Sequence, residues 1–163
     1  MKTLIIMRHA ESSFSFSGND FDRPLTKNGE LEALIMSKKL SDKALLIDSI
    51  ISSNAHRTTQ TANILSKSIQ FDESKINWQS ALYHAPTSQI IKCIEHCESS
   101  INTVLLICHN PGITDFVNQF IHFITPNMPP AGMVAITLNI DNWSEFSIAK
   151  PSLLFFDYPT NFV

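Results

Sequence analysis

Four side chains of this sequence have the chemistry to handle a phosphoryl group together: Arg8, His9, Arg57 and His109. Arginine offers a planar fork of donors to phosphate oxygens and never loses its charge. A histidine beside such cations has a lowered pKa, which leaves it neutral with a lone pair for attack on phosphorus. Each residue also has an ordinary reading when taken alone. Arg8 and His9 could close a strand at the surface, and Arg57 could be a solvated residue in a helix's first turn. A cation in that first turn opposes the helix dipole, however, whereas free backbone N–H groups there suit an anion.

What joins the four is that each follows a run with the character of a buried strand. Thr3-Leu4-Ile5-Ile6-Met7 is apolar, partly β-branched and free of turn formers, and it runs directly into Arg8-His9-Ala10. Thr103 to Cys108 repeats the pattern and stops at His109-Asn110-Pro111-Gly112. Ile47 to Ser52 is a second short strand, from which Ser53-Asn54-Ala55-His56-Arg57 leads into a helix with Ser53 or Asn54 as N-cap and Thr58, Ala62, Leu65 and Ile69 as its buried face. Right-handed crossovers in a parallel sheet bring the strand carboxyl ends to one edge, so all four residues belong to that edge.

The remaining elements complete an α/β alternation. The loop from Glu11 to Asp22 is rich in serine and carries Phe14, Phe16 and Phe21, which suggests a flap or a set of satellite core contacts. Thr26 caps a helix whose expected face is Leu31, Leu34 and Ile35, continuing to Leu40. Ile76 to Trp78 reads as a short third strand; Pro86, Thr87 and Ser88 open a helix with Ile90, Ile94 and Cys97 inward. A further helix after Gly112 buries Ile113, Phe116, Val117, Phe120 and Ile121. Beyond the proline-rich loop Pro126 to Gly132, two strands, Met133 to Leu138 and Ser144 to Ala149, are expected to form a hairpin turning at Asp141-Asn142, with Leu153 to Tyr158 packed back on the domain. The expected fold is a three-layer α/β sandwich, with a mostly parallel central sheet, helices on both faces and an antiparallel edge hairpin.

Composition bounds the partners. The 163 residues suffice for one domain, expected to span 1–163, and 44% hydrophobic with 17% charged residues describes an ordinary soluble protein. A net charge of −3 lacks the basic excess that nucleic acid requires, so any anion site must be local. No segment approaches the roughly 20 apolar residues of a membrane span. Three cysteines without an export signal read as reduced thiols of a cytoplasmic protein, and Cys93, His96 and Cys97 as two buried thiols and one exposed histidine rather than a metal site.

On these residues the chain resembles a known family. Arg8-His9-Ala10 is similar to the Arg-His-Gly signature of the histidine phosphatase superfamily, which includes the phosphoglycerate mutases. Arg23-Pro24-Leu25-Thr26 with Asn28-Gly29, the Ser52 to Arg57 segment with Thr61-Ala62, the strand ending in His109, and Pro129-Pro130 resemble the small SixA-type phosphohistidine phosphatases. The resemblance implies a phosphohistidine intermediate on His9, a phosphate pocket of Arg8, Arg57 and His109, and neither metal nor organic cofactor. Arg23 is a further candidate phosphate contact, with a structural role at the helix start as the alternative. Larger members take a proton donor from an insertion that this chain lacks; Asp22, Tyr83 and His84 are the candidates here. A phosphohistidine leaving group needs an external acid less than an alkyl phosphate does, so the expected activity is removal of phosphate from phosphohistidine on a protein such as a phosphotransfer domain, by a monomer. A small-molecule phosphomonoesterase and a noncatalytic phosphate-binding module are the alternatives. Ala10, where the family has glycine, permits close backbone approach unless the position needs a positive φ.

Overall fold

The structure, a computed structural model, describes residues 1–160, so the last three positions of the domain expected over 1–163 lie outside the described residues. Its centre is a six-stranded sheet of β1 (Lys2–Arg8), β2 (Ser49–Ser52), β3 (Asn77–Trp78), β4 (Thr103–Cys108), β5 (Met133–Leu138) and β6 (Ser152–Asp157), in spatial order β3-β2-β4-β1-β5-β6. The pairs β3–β2, β2–β4 and β4–β1 are parallel; β5 runs antiparallel to both β1 and β6.

The period-two alternation of β1 divides the core. Leu4 and Ile6 point to one face, with Val104 and Leu106 of β4; Ile5 and Met7 point to the other, with Leu105 and Ile107. The first face is covered by α3 (Thr87–Glu95) and α4 (Gly112–Phe120) through Ile90, Ile94, Ile113, Phe116 and Val117. The second is covered by α1 (Lys27–Asp42) and α2 (His56–Ser68) through Ala33, Met36, Leu40, Ala62 and Leu65. A central strand apolar on both sides is what two helical layers require. Among the described residues no helix is long and apolar enough to cross a membrane.

Three expectations need correction. Residues 143–148 form a 3-10 helix, not the second hairpin strand; Trp143 and Phe146, three residues apart, are both buried, and Asn142 with Glu145 makes a capping box that starts the turn. The hairpin partner of β5 is β6, so the segment expected to pack back is itself the edge strand. On α1, Leu31 and Leu34 are 55% and 54% exposed, and the helix buries Gly29, Ala33 and Met36 in their place, together with Leu40 as expected. Close approach decides that rotation: a Cβ at Gly29 would stand 2.0 Å from the Glu11 carbonyl oxygen, so the chain after β1 rests directly on the helix.

Candidate active site

Register places the site. Arg8 of β1 lies opposite Cys108 of β4, and Ser52 of β2 opposite Ile107, so the three strands end side by side and release His9, Ser53 and His109 at one edge. Arg57 enters from the first turn of α2. Its N-cap is Ala55, without a side-chain cap bond, where Ser53 or Asn54 was expected. Ser53 is otherwise engaged: its Oγ lies 2.8 Å from His109 Nε2 and 3.4 Å from the Ala55 amide. We assign the hydroxyl proton to His109 Nε2. His109 is then the Nδ1–H tautomer, and Nδ1 is buried without a protein partner.

His9 has the complementary arrangement. Its Nδ1–H donates to the Ala10 carbonyl at 2.7 Å, which leaves Nε2 as the lone-pair nitrogen, and Nε2 accepts from Arg57 Nε at 3.2 Å. The ring is 6% exposed and its centroid lies 5.2 Å from that of His109. Burial first, then the charges of Arg57, Arg8 and Arg23, holds the His9 imidazole down to about 3. Burial and the neighbouring His9, Arg57 and His84 hold His109 down to about 2, against the weaker pull of Asp20. Charge alone was the expected cause; desolvation is the larger one.

Arg57 is 1% exposed, and the rest of its fork is fixed by donation to the Asp20 carbonyl at 2.7 Å and to Asp20 Oδ2 at 3.0 Å. Arg8 donates through Nη1 to the Met128 carbonyl at 2.7 Å, which anchors it to the proline-rich loop. Arg23 pairs with Asp20 Oδ1 at 3.2 Å and lies over the Phe14 ring, 4.9 Å from its centroid. Arg8, His9, Arg23, Arg57, His84 and His109 line one cavity of about 130 Å³. Three nitrogens on these residues, Arg8 Nε, Arg23 Nε and His109 Nδ1, are buried and make no hydrogen bond within the protein. Buried donors without protein partners around an anion-sized hollow have the character of an oxyanion site.

Supporting contacts hold the frame. Thr61 Oγ donates to the Arg57 carbonyl at 2.7 Å and accepts from the Ala10 amide at 3.1 Å, tying α2 to the end of β1. Ala10 is fully buried and its φ is not positive, so the position does not need glycine for its backbone conformation.

The structure separates the three proton-donor candidates. Tyr83 and His84 stand beside His109, each with ring centroids 5.5 Å from it, whereas Asp22 is exposed and does not line the cavity. Sequence reasoning missed Asp20, which contacts Arg23, Arg57, Tyr83 and His84. Asp20 and Asp22 flank Phe21 in a 3-10 turn; Phe21 packs edge-on to Tyr83, 5.2 Å between centroids. No periodicity in a serine-rich loop distinguishes those two carboxylates. Of the loop's aromatic residues Phe21 packs against Tyr83, while Phe14 is 89% exposed.

Comparison with known proteins gives these features a context. Residues 4–81, from β1 to the turn before Tyr83, match the profile of the histidine phosphatase superfamily (branch 1). An uncharacterized chloroplastic protein of Arabidopsis thaliana is 31% identical over 120 residues, 68% of this chain; the chain spans 55% of that protein's length. Among solved structures, SixA of Nakamurella multipartitia superposes with a TM-score of 0.84 at 22% identity, covering 98% of this chain and 96% of that one. The protein histidine phosphatase SixA complexed with tungstate superposes with a TM-score of 0.82 at 22% identity, covering 98% of each chain. At these identities the superpositions establish the shared fold.

Proposed function

The chain belongs to the histidine phosphatase superfamily, and on that premise we propose that it removes phosphate from phosphohistidine on a protein, through a covalent intermediate on His9. The observation that carries this reading is the presentation of His9: a neutral ring, its tautomer fixed by the Ala10 carbonyl, its lone-pair nitrogen on the Arg57 fork and its neighbours three buried donors without partners. Nε2 attacks phosphorus in line while Arg8, Arg57 and His109 hold the equatorial oxygens, where charge gathers in the transition state. Water then attacks the phosphorylated ring and releases phosphate. Arg23 adds a third positive charge to the same hollow.

The size of the hollow supports a protein substrate. About 130 Å³ accommodates a phosphoryl group but falls below the roughly 300 Å³ at which small-molecule pockets begin, so the rest of the substrate would lie outside on the surface bearing Phe14. SixA, of the same fold, is known complexed with tungstate, a tetrahedral oxyanion, which agrees with an anion site in this architecture. The reading includes a reducing, cytoplasmic setting: Cys93, Cys97 and Cys108 are all free, and burial pushes the Cys97 thiol up to about 11 and Cys108 up to about 12. The test compares kcat/KM for a phosphohistidine-bearing phosphotransfer domain with that for sugar and nucleotide phosphates. The proposal expects the protein substrate to be preferred. Preference for a small metabolite would move the assignment to a phosphomonoesterase, and no turnover of any substrate would leave a phosphate-binding module.

A further inference from the structure

Asp20 has no part in the phosphoryl transfer described above, yet its Oδ2 accepts three hydrogen bonds: from Tyr83 Oη at 2.6 Å, Arg57 Nη2 at 3.0 Å and His84 Nε2 at 3.1 Å. The Tyr83 bond, with those from His84 and Arg57, holds its carboxyl well below the usual carboxylate range. Asp20 is therefore an anion at neutral pH and has no proton to give. Tyr83 directs its only O–H to Asp20, and burial together with that carboxylate pushes its phenol upward. Asp22 does not line the cavity.

His84 has what these lack. One ring nitrogen meets Asp20 and the second remains, on a ring that borders the cavity beside His109. Its backbone sits at φ 50°, in the left-handed region that a residue with a Cβ occupies at a cost, so surrounding contacts hold it there. An aspartate accepting one N–H of a histidine whose ring borders a reaction centre is an arrangement by which a carboxylate orients a general acid–base.

We infer that His84, oriented by Asp20, is the acid–base residue of the phosphoryl transfer. In the first step the bond between His9 Nε2 and phosphorus forms, the bond from phosphorus to the leaving atom breaks, and the His84 imidazolium gives that atom its proton. In the second, water oxygen attacks phosphorus, the electron pair of the P–N bond returns to His9 Nε2, and neutral His84 takes the proton from water. The groups facing His84 are Asp20 and Tyr83 at the rim, and Arg57 and His109 within. His84 is a catalytic residue in this scheme and Asp20 a positioning residue. The inference rests on the two-step reading of His9.

The test is the leaving-group dependence of kcat/KM, which reports the first step alone. In His84→Gln, phenyl phosphate, whose leaving group needs a proton, should lose about a hundredfold or more, while p-nitrophenyl phosphate, whose leaving group does not, should lose less than about fivefold. Asp20→Asn should shift the balance the same way by a smaller factor, which a merely structural role would not do. Tyr83→Phe should lower both substrates alike. Equal losses for both substrates in His84→Gln, or a leaving-group bias appearing in Tyr83→Phe instead, would overturn the assignment. Acid-labile label on His9 of His84→Gln in either case would leave the covalent mechanism standing; wild-type protein that never labels His9 would remove both.

Discussion

Replacing Arg57 with lysine keeps the charge of the site and removes its geometry. The guanidinium reaches three acceptors at once: His9 Nε2 at 3.2 Å, the Asp20 carbonyl at 2.7 Å and Asp20 Oδ2 at 3.0 Å. A single ammonium on a shorter stem cannot hold that fork. Asp20 Oδ2 keeps two other donors, Tyr83 and His84, so the local frame survives. The ammonium can satisfy one of the Asp20 carbonyl and His9 Nε2 and leaves the other without its Arg57 bond, and an unsatisfied acceptor costs about 1–3 kcal/mol. In a chain of this size each kcal/mol lowers the melting temperature by about 2–4 °C, so the variant should remain folded at assay temperature. Activity should fall much further. One preorganised donor to the transition-state oxyanion is worth about a hundred- to a thousandfold in kcat, and Arg57 is also the group that orients His9 Nε2. Steady-state kinetics on p-nitrophenyl phosphate, with thermal melts alongside, should give a kcat at least about a hundredfold below wild type and a smaller change in KM. A folded Arg57→Lys protein within about threefold of wild type would refute the argument that donor placement, rather than charge alone, drives the chemistry.

Two further perturbations test the two histidines. Ser53→Ala removes the hydroxyl bonded to His109 Nε2; kcat should fall roughly tenfold, and the buried nitrogen left without its partner, at about 1–3 kcal/mol, should lower the melting temperature by several degrees. Acid should destabilise the fold earlier than carboxylate protonation does: the unfolded chain takes a proton on His9 near 6.5 and the folded one only near 3, so the His9 contribution is complete above pH 6.5 and is lost progressively as pH falls toward 3. At pH 4.5 this is roughly 2–3 kcal/mol, so urea unfolding at pH 7.5 and 4.5 should show a smaller loss in His9→Gln than in wild type.

The sheet edge was legible because its evidence is local. Apolar runs that stop at Arg8-His9 and at His109 declare both a strand and the residue at its end, and the alternation of strands with helices then fixes which edge those ends share. Arg57 followed from the same rule. Two kinds of information were missing. Residues 143–148 alternate well enough to pass for a strand, and only the tertiary burial of Trp143 and Phe146 together selects the 3-10 turn. Asp20, Ser53 and the exposure of Leu31 depend on which backbone comes close to which. Asp20 reaches Arg57 across 37 positions and Ser53 reaches His109 across 56, and no pattern within either segment encodes those distances.

The most direct measurement brings the protein together with a phosphoryl donor, quenches it in alkaline denaturant, and maps the phosphate by mass spectrometry on wild type, His9→Ala and His109→Ala. Acid-labile, alkali-stable phosphate is expected on His9 in wild type and at no position in His9→Ala. Hydrolysis that proceeds in His9→Ala, or label found on His109 or His84 in wild type, would contradict it.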